Sequence, residues 1–329
     1  MSPGELPELP RVPLVLAPTP LHLASRLSTE LGTEVWFKRD DLTGLGLGGN
    51  KVRTLEYLLG DALAQGCTDL VTGAGAQSNW AMLAALAART VGLVPHLVYY
   101  GEEPAPSGNL LLAEKICADV RFTGAPDRAS VDSALAELAD SLKAGGRKPY
   151  VVPRGGATGL GALGYLRASI ELAGQLAGEG VRPTQIWVAT GSCGTQSGLV
   201  AGQRFLGADY DVVGVTTSRP RDECVARVSA LQDEIGKIVD LGPATAPAPT
   251  VLGGHVGLGY GLPSPAGEQA AAQVAQTEGI FLDPVFGAKA MAALIQTARE
   301  GTTTGPVVFL VSGGAPTLFT QPAREEDPL

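Results

Sequence analysis

Short apolar runs alternate with helix-like stretches along most of the chain. An apolar run at 69–72 is followed by an alanine-rich stretch at 79–91 and then by a second apolar run at 96–100. The alternation continues, with strands expected at 119–122, 150–152, 186–190, 211–215 and 307–311, and helices at 109–118, 130–144, 159–177, 196–206 and 288–297. Strands separated by helices in this way predict parallel sheets that carry helices on both faces.

The length and the pattern together suggest two lobes. A chain of 329 residues is long for a single hydrophobic core, and a fresh β–α cycle begins near residue 159. We therefore predict an α/β fold of two doubly wound, three-layer α/β/α domains. Ligands are expected at the carboxyl ends of the parallel strands. The segment 242–251, rich in proline, alanine and threonine, is predicted to be a loop.

Composition and charge narrow the classes of partner. The chain is 45% hydrophobic and 17% charged, which favours a folded protein with buried sheets. The formal net charge of −9 argues against nucleic acid or an anionic membrane as the main partner. The first residues lack the basic start and apolar core of a secretory signal, and no apolar run reaches membrane length. We expect a cytoplasmic protein.

Cysteine and histidine are too scattered to predict a metal site. The four cysteines form no CxxC pair, and the three histidines show no ligand-like spacing. Cys67, Cys117 and Cys224 are expected to pack as small hydrophobic residues. With histidine so scarce, lysine is the natural candidate for acid–base chemistry.

Two segments predict the chemistry of the site: a lysine that follows two glycines, and a glycine-containing turn far along the chain. Lys51 follows Gly48, Gly49 and Asn50, and glycine lacks the Cβ that would keep a planar ligand from the backbone. The turn 191–195 lies between an expected strand and helix, where backbone N–H groups bind anions. It is neither a Walker A loop nor a dinucleotide fingerprint. An amine with a phosphate cradle is what a pyridoxal phosphate (PLP) enzyme needs, although a sugar-phosphate or nucleotide-binding protein remains an alternative.

Further strings complete a family pattern. They occur in a characteristic order at 38–42, 72–79, 257–261, 283–290 and 312–316. From about residue 18 to 319, the chain resembles the D-cysteine desulfhydrase and 1-aminocyclopropane-1-carboxylate (ACC) deaminase family of fold-type II PLP enzymes. The resemblance implies a homodimer that acts on a small amino acid. We place a large PLP-binding domain at 1–53 with 156–329, and a small domain at 54–155.

The resemblance implies a set of residues that hold the cofactor. Lys51 would carry PLP as a Schiff base and move the α-proton, and Asn50 would lie near the phenolic oxygen. Ser312 would face the pyridine nitrogen. A neutral hydroxyl there leaves this nitrogen largely unprotonated, so the ring withdraws electrons less strongly, which suits elimination. The phosphate loop would consist of Ser192, Cys193, Gly194 and Thr195. Cys193 replaces a more usual glycine, which is tolerable if its φ is negative.

The resemblance also implies a substrate side. Ser78, with Gln77 and Asn79, would meet the substrate carboxylate, and Tyr260 would line the pocket. Ser78 is a candidate catalytic residue, as a proton relay, together with Lys51 and Tyr260. It is also a candidate cap for the helix that follows, and both roles remain open.

Three positions depart from the relatives. Phe286 stands where they usually have tyrosine, Gly287 where they have threonine or glutamate, and Trp80 where they have histidine or glutamine. Phenylalanine donates no proton, so an apolar substrate pocket is expected and ACC deamination is disfavoured. Phe286 and Trp80 are either substrate-binding or plain packing residues. Asp283 and Lys289 are expected to form a local ion pair or a helix start.

The predicted activity is that of a PLP-dependent lyase. It would catalyse α,β-elimination like a D-cysteine desulfhydrase, giving pyruvate, ammonia and the leaving group. Alternatives are a specialised biosynthetic β-elimination or β-replacement enzyme, a cysteate sulfo-lyase, and a PLP-binding protein without catalysis.

Overall fold

The computed structural model describes residues 6–116, 119–241, 248–303 and 305–320. The strands in these ranges are β1 (Leu21–Leu23), β2 (Val35–Arg39), β3 (Asp69–Ala74), β4 (Val94–Tyr99), β5 (Asp119–Phe122), β6 (Pro149–Val151), β7 (Gln185–Thr190), β8 (Asp211–Thr216), β9 (Val251–Leu252) and β10 (Val307–Val311). The α-helices are α1 (Ser25–Leu31), α2 (Lys51–Ala64), α3 (Asn79–Thr90), α4 (Gly108–Ile116), α5 (Ser130–Ala144), α6 (Gly159–Glu179), α7 (Gly194–Leu206), α8 (Arg221–Gly236), α9 (Pro265–Glu278) and α10 (Gly287–Arg299). Single 3₁₀ turns lie at Asp40–Leu42, Arg154–Gly156 and Ala315–Phe319.

The chain divides into two compact units. The first contains Met1–Gly66 and Gly156–Gly313, and the second contains Cys67–Gly155 and Gly314–Leu329. The boundary expected after residue 53 falls inside α2, a continuous helix that lies wholly in the first unit. The segment after Gly313, expected in the large domain, groups with the second unit instead.

The first unit is built on a six-stranded sheet. Its strand order is β1-β2-β10-β7-β8-β9, and the pairs are parallel except for β1, which runs antiparallel to β2. Alternate residues of β10 enter opposite cores: Phe309 packs with α1, α9 and α10, whereas Leu310 packs with α6 and α7. The predicted three-layer α/β arrangement is therefore confirmed for this unit.

The strand order of this sheet reverses beside β7. The chain proceeds from β7 to β8 on one side, while β10 lies on the other side of β7. The segments that leave β7 and β10, at 191–193 and 312–313, therefore emerge next to each other at the carboxyl edge. Such a switch point is where open parallel sheets bind their ligands.

The second unit contains a parallel four-stranded sheet of order β5-β4-β3-β6. Val71 packs with α5 on one face, whereas the neighbouring Thr72 accepts a hydrogen bond from Trp80 of α3. Helices thus cover both faces here as well. The order reverses beside β3, so the loop 75–78 that leaves β3 lies at the switch point of this sheet.

The periodicity predicted most elements but missed several. The strands and helices expected between residues 69 and 215 and those near the C-terminus are present, with ends shifted by a few residues. The pattern did not predict β1, α1, β2, α2, α8, β9 or α9. Of the expected loop 242–251, residues 242–247 lie outside the described residues, as does Cys117, and Val251 belongs to β9. No helix in the described part of the chain is both long and apolar enough to cross a bilayer.

Candidate active site

Three segments of the first unit meet next to Lys51, the first residue of α2. The backbone N–H of Asn50 donates to the carbonyl oxygen of Ser312, just after β10, at 2.9 Å. The side-chain amide of Asn50 donates to the hydroxyl of Thr195, in the first turn of α7, at 3.0 Å. The residues expected around the cofactor are therefore brought together at the switch point of the larger sheet.

The amine of Lys51 is prepared to act as a nucleophile. Its side chain is partly buried, and no described residue accepts a hydrogen bond from it. Loss of solvation disfavours the ammonium form and lowers the pKa of Lys51 to about 8. A much larger fraction of the amine is neutral near pH 8 than for an ordinary lysine, and only the neutral amine attacks a carbonyl.

The start of α2 is held by a buried ion pair. The Arg53 guanidinium donates to both carboxylate oxygens of Asp40, at 2.8 and 2.9 Å, and also to Glu171. Tyr165 donates a further hydrogen bond to Asp40 at 2.5 Å. Desolvation alone would raise the pKa of Asp40, but the charge and hydrogen bonds of Arg53 outweigh it and lower this pKa. The carboxylate therefore stays charged and anchors the helix turn that carries Lys51.

Gly48 and Gly313 both allow close packing of the chain near Lys51. A Cβ on Gly48 would lie 1.9 Å from the carbonyl oxygen of Asp41, and one on Gly313 would lie 2.6 Å from the Cα of Gly49. Gly48 and Gly313 thus let the chain pack on itself, and the approach of a planar ligand beside Gly48 and Gly49 stays a prediction. Gly191 has more space than Gly48 and Gly313, because the atom nearest to its missing Cβ is a ring carbon of Phe286 at 3.4 Å.

Cys193 adopts a backbone conformation that the sequence did not predict. Its φ is +73°, the one positive value of a non-glycine residue among those described. The condition under which cysteine was expected to be tolerable, a negative φ, is therefore not met, and the left-handed conformation costs about 1 kcal/mol. A left-handed residue directly before a helix turns successive N–H groups toward one side, which forms an anion-binding concavity. Here it precedes the positive end of α7.

Three observations test whether these residues suit PLP. Lys51 offers an amine that bonds to no described residue, and the start of α7 offers a phosphate cradle. The hydroxyl of Thr217 is fully buried and finds no hydrogen-bond partner among the described residues. It lies 3.7 Å from the position of a Cβ on Gly191, beside the same loop. An amine for an aldehyde, an anion site and an unsatisfied polar group together fit a phosphorylated aldehyde cofactor. The sequence analysis did not predict a role for Thr217. Its position directly after β8, the strand next to β7, is the feature that could have indicated one.

Phe286 and Tyr260 form an aromatic pair near Gly191. Their ring centroids are 6.3 Å apart in an edge-on arrangement. Phe286 is partly buried and touches the phosphate-loop side, whereas 41% of Tyr260 is exposed. The two aromatic residues expected on the substrate side are thus neighbours.

Asp283 and Lys289 hold the segments that carry this pair. The Asp283 carboxylate accepts from the backbone N–H groups of Phe286 and Gly287, each at 2.7 Å, at the start of α10. Burial raises the pKa of Asp283 to about 6 despite these bonds. The Lys289 amine donates to the carbonyl oxygens of Val256 and Gly259, at 2.7 and 3.2 Å. Asp283 therefore has the expected role at a helix start, whereas Lys289 binds the distant backbone of 256–259 in place of the expected ion pair.

Ser78 caps α3 in the second unit. Its hydroxyl oxygen accepts a hydrogen bond from the N–H of Ala81 at 3.3 Å, and no described residue accepts its proton. The cap role is present, and the hydroxyl proton remains available to a ligand at the N-terminus of this 12-residue helix.

Gln77 braces the loop with its side chain. Its amide nitrogen donates to the carbonyl oxygen of Ser107 at 3.0 Å, and its oxygen accepts from the N–H of Asn109 at 3.0 Å. Asn109 also donates to the side-chain oxygen of Asn79 at 2.7 Å. The side chain of Gln77 therefore braces this loop, and contact of the loop with the substrate carboxylate stays a prediction. Because the bond from Asn109 uses only the side-chain oxygen of Asn79, the N–H groups of the Asn79 amide are left to donate to a ligand.

Trp80 is a packing residue. It is 2% exposed, and its indole N–H donates to the hydroxyl of Thr72 at 2.9 Å. The ring fills the space between α3 and β3. This burial favours the packing alternative, and contact of Trp80 with a substrate stays a prediction.

Comparisons with known proteins agree with this geometry. A family model described as "Pyridoxal-phosphate dependent enzyme" matches residues 12–313. The D-cysteine desulfhydrase of Yersinia pestis (strain Pestoides F) is 40% identical over 325 residues, covering 96% of this chain and 97% of its own. That of Klebsiella pneumoniae (strain 342) is 40% identical over 329 residues, covering 97% and 98%.

Solved structures share the fold. A structure described as an ACC deaminase homologue superimposes with a TM-score of 0.89 at 38% identity, covering 95% of this chain and 94% of that one. A serine racemase from Dictyostelium discoideum matches with a TM-score of 0.66 at 17% identity, over 90% of this chain and 92% of that one, which supports the fold alone.

Proposed function

Because the chain belongs to the family of pyridoxal-phosphate dependent enzymes, we propose that it eliminates the β-substituent of a small amino acid, with D-cysteine as the substrate. The overall reaction converts D-cysteine and one water into hydrogen sulfide, pyruvate and ammonia. The predicted family, cofactor and lyase class are confirmed by the family match and by curated relatives that are 40% identical over nearly the whole chain.

One observation carries the proposal. Asn50, which directly precedes Lys51, is hydrogen-bonded to both Thr195 and Ser312, so the expected lysine anchor, phosphate loop and pyridine-facing hydroxyl share one edge of the larger sheet. PLP, when bound, supplies the electron sink for cleavage at Cα. A depressed lysine pKa at this edge suits a group that must both bind an aldehyde and accept a proton.

We assign the cofactor-side roles as follows. The Nζ of Lys51 holds the cofactor and takes the α-proton of the substrate. The loop Ser192, Cys193, Gly194 and Thr195 binds the phosphate with its N–H groups at the start of α7. Asn50 lies toward the phenolic oxygen, and the hydroxyl of Ser312 toward the pyridine nitrogen.

On the substrate side, Ser78 and the N-terminus of α3 bind the carboxylate. The free hydroxyl proton of Ser78 and the positive end of the helix both favour an anion. The amide of Asn79 adds a donor, and Tyr260 with Phe286 lines the pocket. The cap bond leaves Ser78 able to move a proton at its Oγ.

Phe286 decides which leaving groups the site accepts. Its ring has no proton to donate, so the site favours a leaving group that departs without help, such as sulfide. The same residue supports a second candidate, a specialised β-elimination or β-replacement enzyme or a cysteate sulfo-lyase, although the burial of Trp80 removes one argument for it. Loss of tyrosine and glutamate at 286 and 287 disfavours ACC as the substrate. We also propose that the protein is a homodimer, on the strength of the family resemblance, and that it is cytoplasmic, on the strength of its sequence features.

An absorbance spectrum followed by product assays tests the proposal. We expect a visible cofactor band that disappears in Lys51→Ala and remains in Lys143→Ala, which changes an exposed lysine. D-cysteine should then yield equal amounts of pyruvate and sulfide, and L-cysteine, L-cysteate and ACC much less. Release of sulfite and pyruvate from L-cysteate, or a band that shifts with amino acids without pyruvate, would favour the second candidate. A protein that PLP cannot colour would overturn both.

A further inference from the structure

Two arginines bind the outside of the 191–193 loop. The Nε of Arg219 donates to the carbonyl oxygen of Gly191 at 3.1 Å. The Nε of Arg227 donates to the carbonyl oxygen of Ser192, also at 3.1 Å, and a second nitrogen of Arg227 donates to Ala157 at 3.4 Å. Two successive peptide carbonyls of the loop are thus each bound by a guanidinium.

The hydrogen bonds to these carbonyls set the direction of the N–H groups. In a planar trans peptide the C=O and the following N–H point in opposite directions. Pulling the Gly191 carbonyl toward Arg219 therefore turns the N–H of Ser192 away from it. Pulling the Ser192 carbonyl toward Arg227 does the same for the N–H of Cys193. The two N–H groups face away from the arginines, and the left-handed conformation of Cys193 leads them into the start of α7.

Both arginines are themselves held in place. The backbone turn before α8 is closed by Thr216, whose hydroxyl donates to the carbonyl oxygen of Arg219 at 2.6 Å. Arg219 also pairs with Glu223, in the first turn of α8. Arg227 extends from the same helix, and Val228 beside it is fully buried in the local core. Arg227 is therefore presented by a helix, and Arg219 by a turn that the hydrogen bond from Thr216 closes.

We propose that Arg219 and Arg227 are positioning residues that hold the 191–193 loop in its phosphate-binding conformation. They act through the backbone and touch neither the phosphate nor the reacting atoms. Their hydrogen bonds also offset the cost of the left-handed conformation of Cys193, which a non-glycine residue leaves readily when nothing holds it. The inference depends on the proposed assignment of residues 192–195 to the cofactor phosphate.

Binding of PLP and of pyridoxal, which lacks the phosphate, tests the proposal on the full-length apoprotein. We expect Arg219→Gln and Arg227→Gln each to weaken PLP binding about tenfold, because a charge-assisted hydrogen bond is lost in each. Pyridoxal binding should change by less than about twofold, because it does not use the loop. Arg221→Gln removes the same charge from the start of α8, between the two tested positions, and serves as the matched control because Arg221 contacts the Val251 carbonyl instead of the 191–193 loop.

The outcomes separate the possibilities. Selective loss of PLP affinity that persists at about 0.5 M salt, where charge effects are largely screened, supports positioning. Equal losses for PLP and pyridoxal, a loss that disappears with salt, or variants indistinguishable from Arg221→Gln would overturn it. The two arginines are tested separately so that one misfolded variant leaves the other informative. A wild-type protein that binds PLP no better than pyridoxal would instead refute the phosphate assignment itself.

Discussion

Asn50 joins two distant parts of the chain to the base of Lys51: its side-chain amide bonds to the hydroxyl of Thr195 at 3.0 Å, while its backbone N–H bonds to Ser312 at 2.9 Å. The residue before the lysine is thereby fixed to the first turn of α7. A shift of that turn would therefore also move the start of α2. The hydrogen bond thus couples the position of Lys51, the proposed cofactor anchor, to that of the proposed phosphate loop.

Replacing Thr195 tests this link. Thr195→Val keeps the shape of the side chain but removes the acceptor for Asn50. We expect PLP affinity to fall about fivefold, the effect of one lost hydrogen bond of about 1 kcal/mol. Titration of the apoprotein with PLP measures it. Thr195→Ser keeps the hydroxyl and should retain near wild-type affinity; a serine variant as weak as the valine variant would contradict the link.

The lowered pKa of Lys51 predicts an unusual pH dependence. Desolvation brings this pKa to about 8, so the reactive neutral amine should become the major form as pH rises through about 8. An ordinary lysine makes this change near 10.4. Competitive acetylation of the apoprotein, with Lys51 followed by mass spectrometry and a free lysine analogue as reference, measures the midpoint. A midpoint that coincides with the analogue would refute the effect of burial.

Cys193 is strained by its positive φ. Cys193→Gly removes the strain, whereas Cys193→Ala keeps it, and both lose the sulfur that packs in the local core. We expect the glycine variant to have the larger free energy of unfolding, by about 1 kcal/mol. Denaturation of the two apoproteins in urea gives the comparison. An alanine variant that is equally stable would show that the loop relaxes to a negative φ.

Phe286→Tyr should change the choice of leaving group. The added hydroxyl restores a proton donor in the aromatic pair with Tyr260, and general acid catalysis is worth about 10²-fold or more where a leaving group needs it. We expect the ratio of kcat/KM for D-serine to that for D-cysteine to rise at least about tenfold. Phe286→Leu removes the ring without adding a donor and should leave the ratio unchanged. An equal rise in both variants would point to pocket size in place of proton donation.

Local patterns determined much of what was expected. The central strands are short apolar runs buried on both faces, and burial recurs every three to four residues along an amphipathic helix, so the β–α order from residue 69 onward was visible in the sequence. Lys51 and the 192–195 loop were visible too, because a lysine among glycines and a strand–turn–helix junction are local features. The helix α8 was missed because its charged sequence, 221–236, shows no clear apolar stripe.

The tertiary structure decided what depends on distant neighbours. The order of strands places β10 beside β7, and no local pattern contains that pairing, yet it brings Ser312 next to Asn50. Trp80 is buried against Thr72 of β3, and Cys193 has its positive φ in a loop whose carbonyls are bound by arginines about thirty residues further along the chain. Sequence alone thus determined the chemistry available to this protein, because residue type and local periodicity are encoded along the chain. Which of those residues meet was decided by packing between segments far apart in sequence.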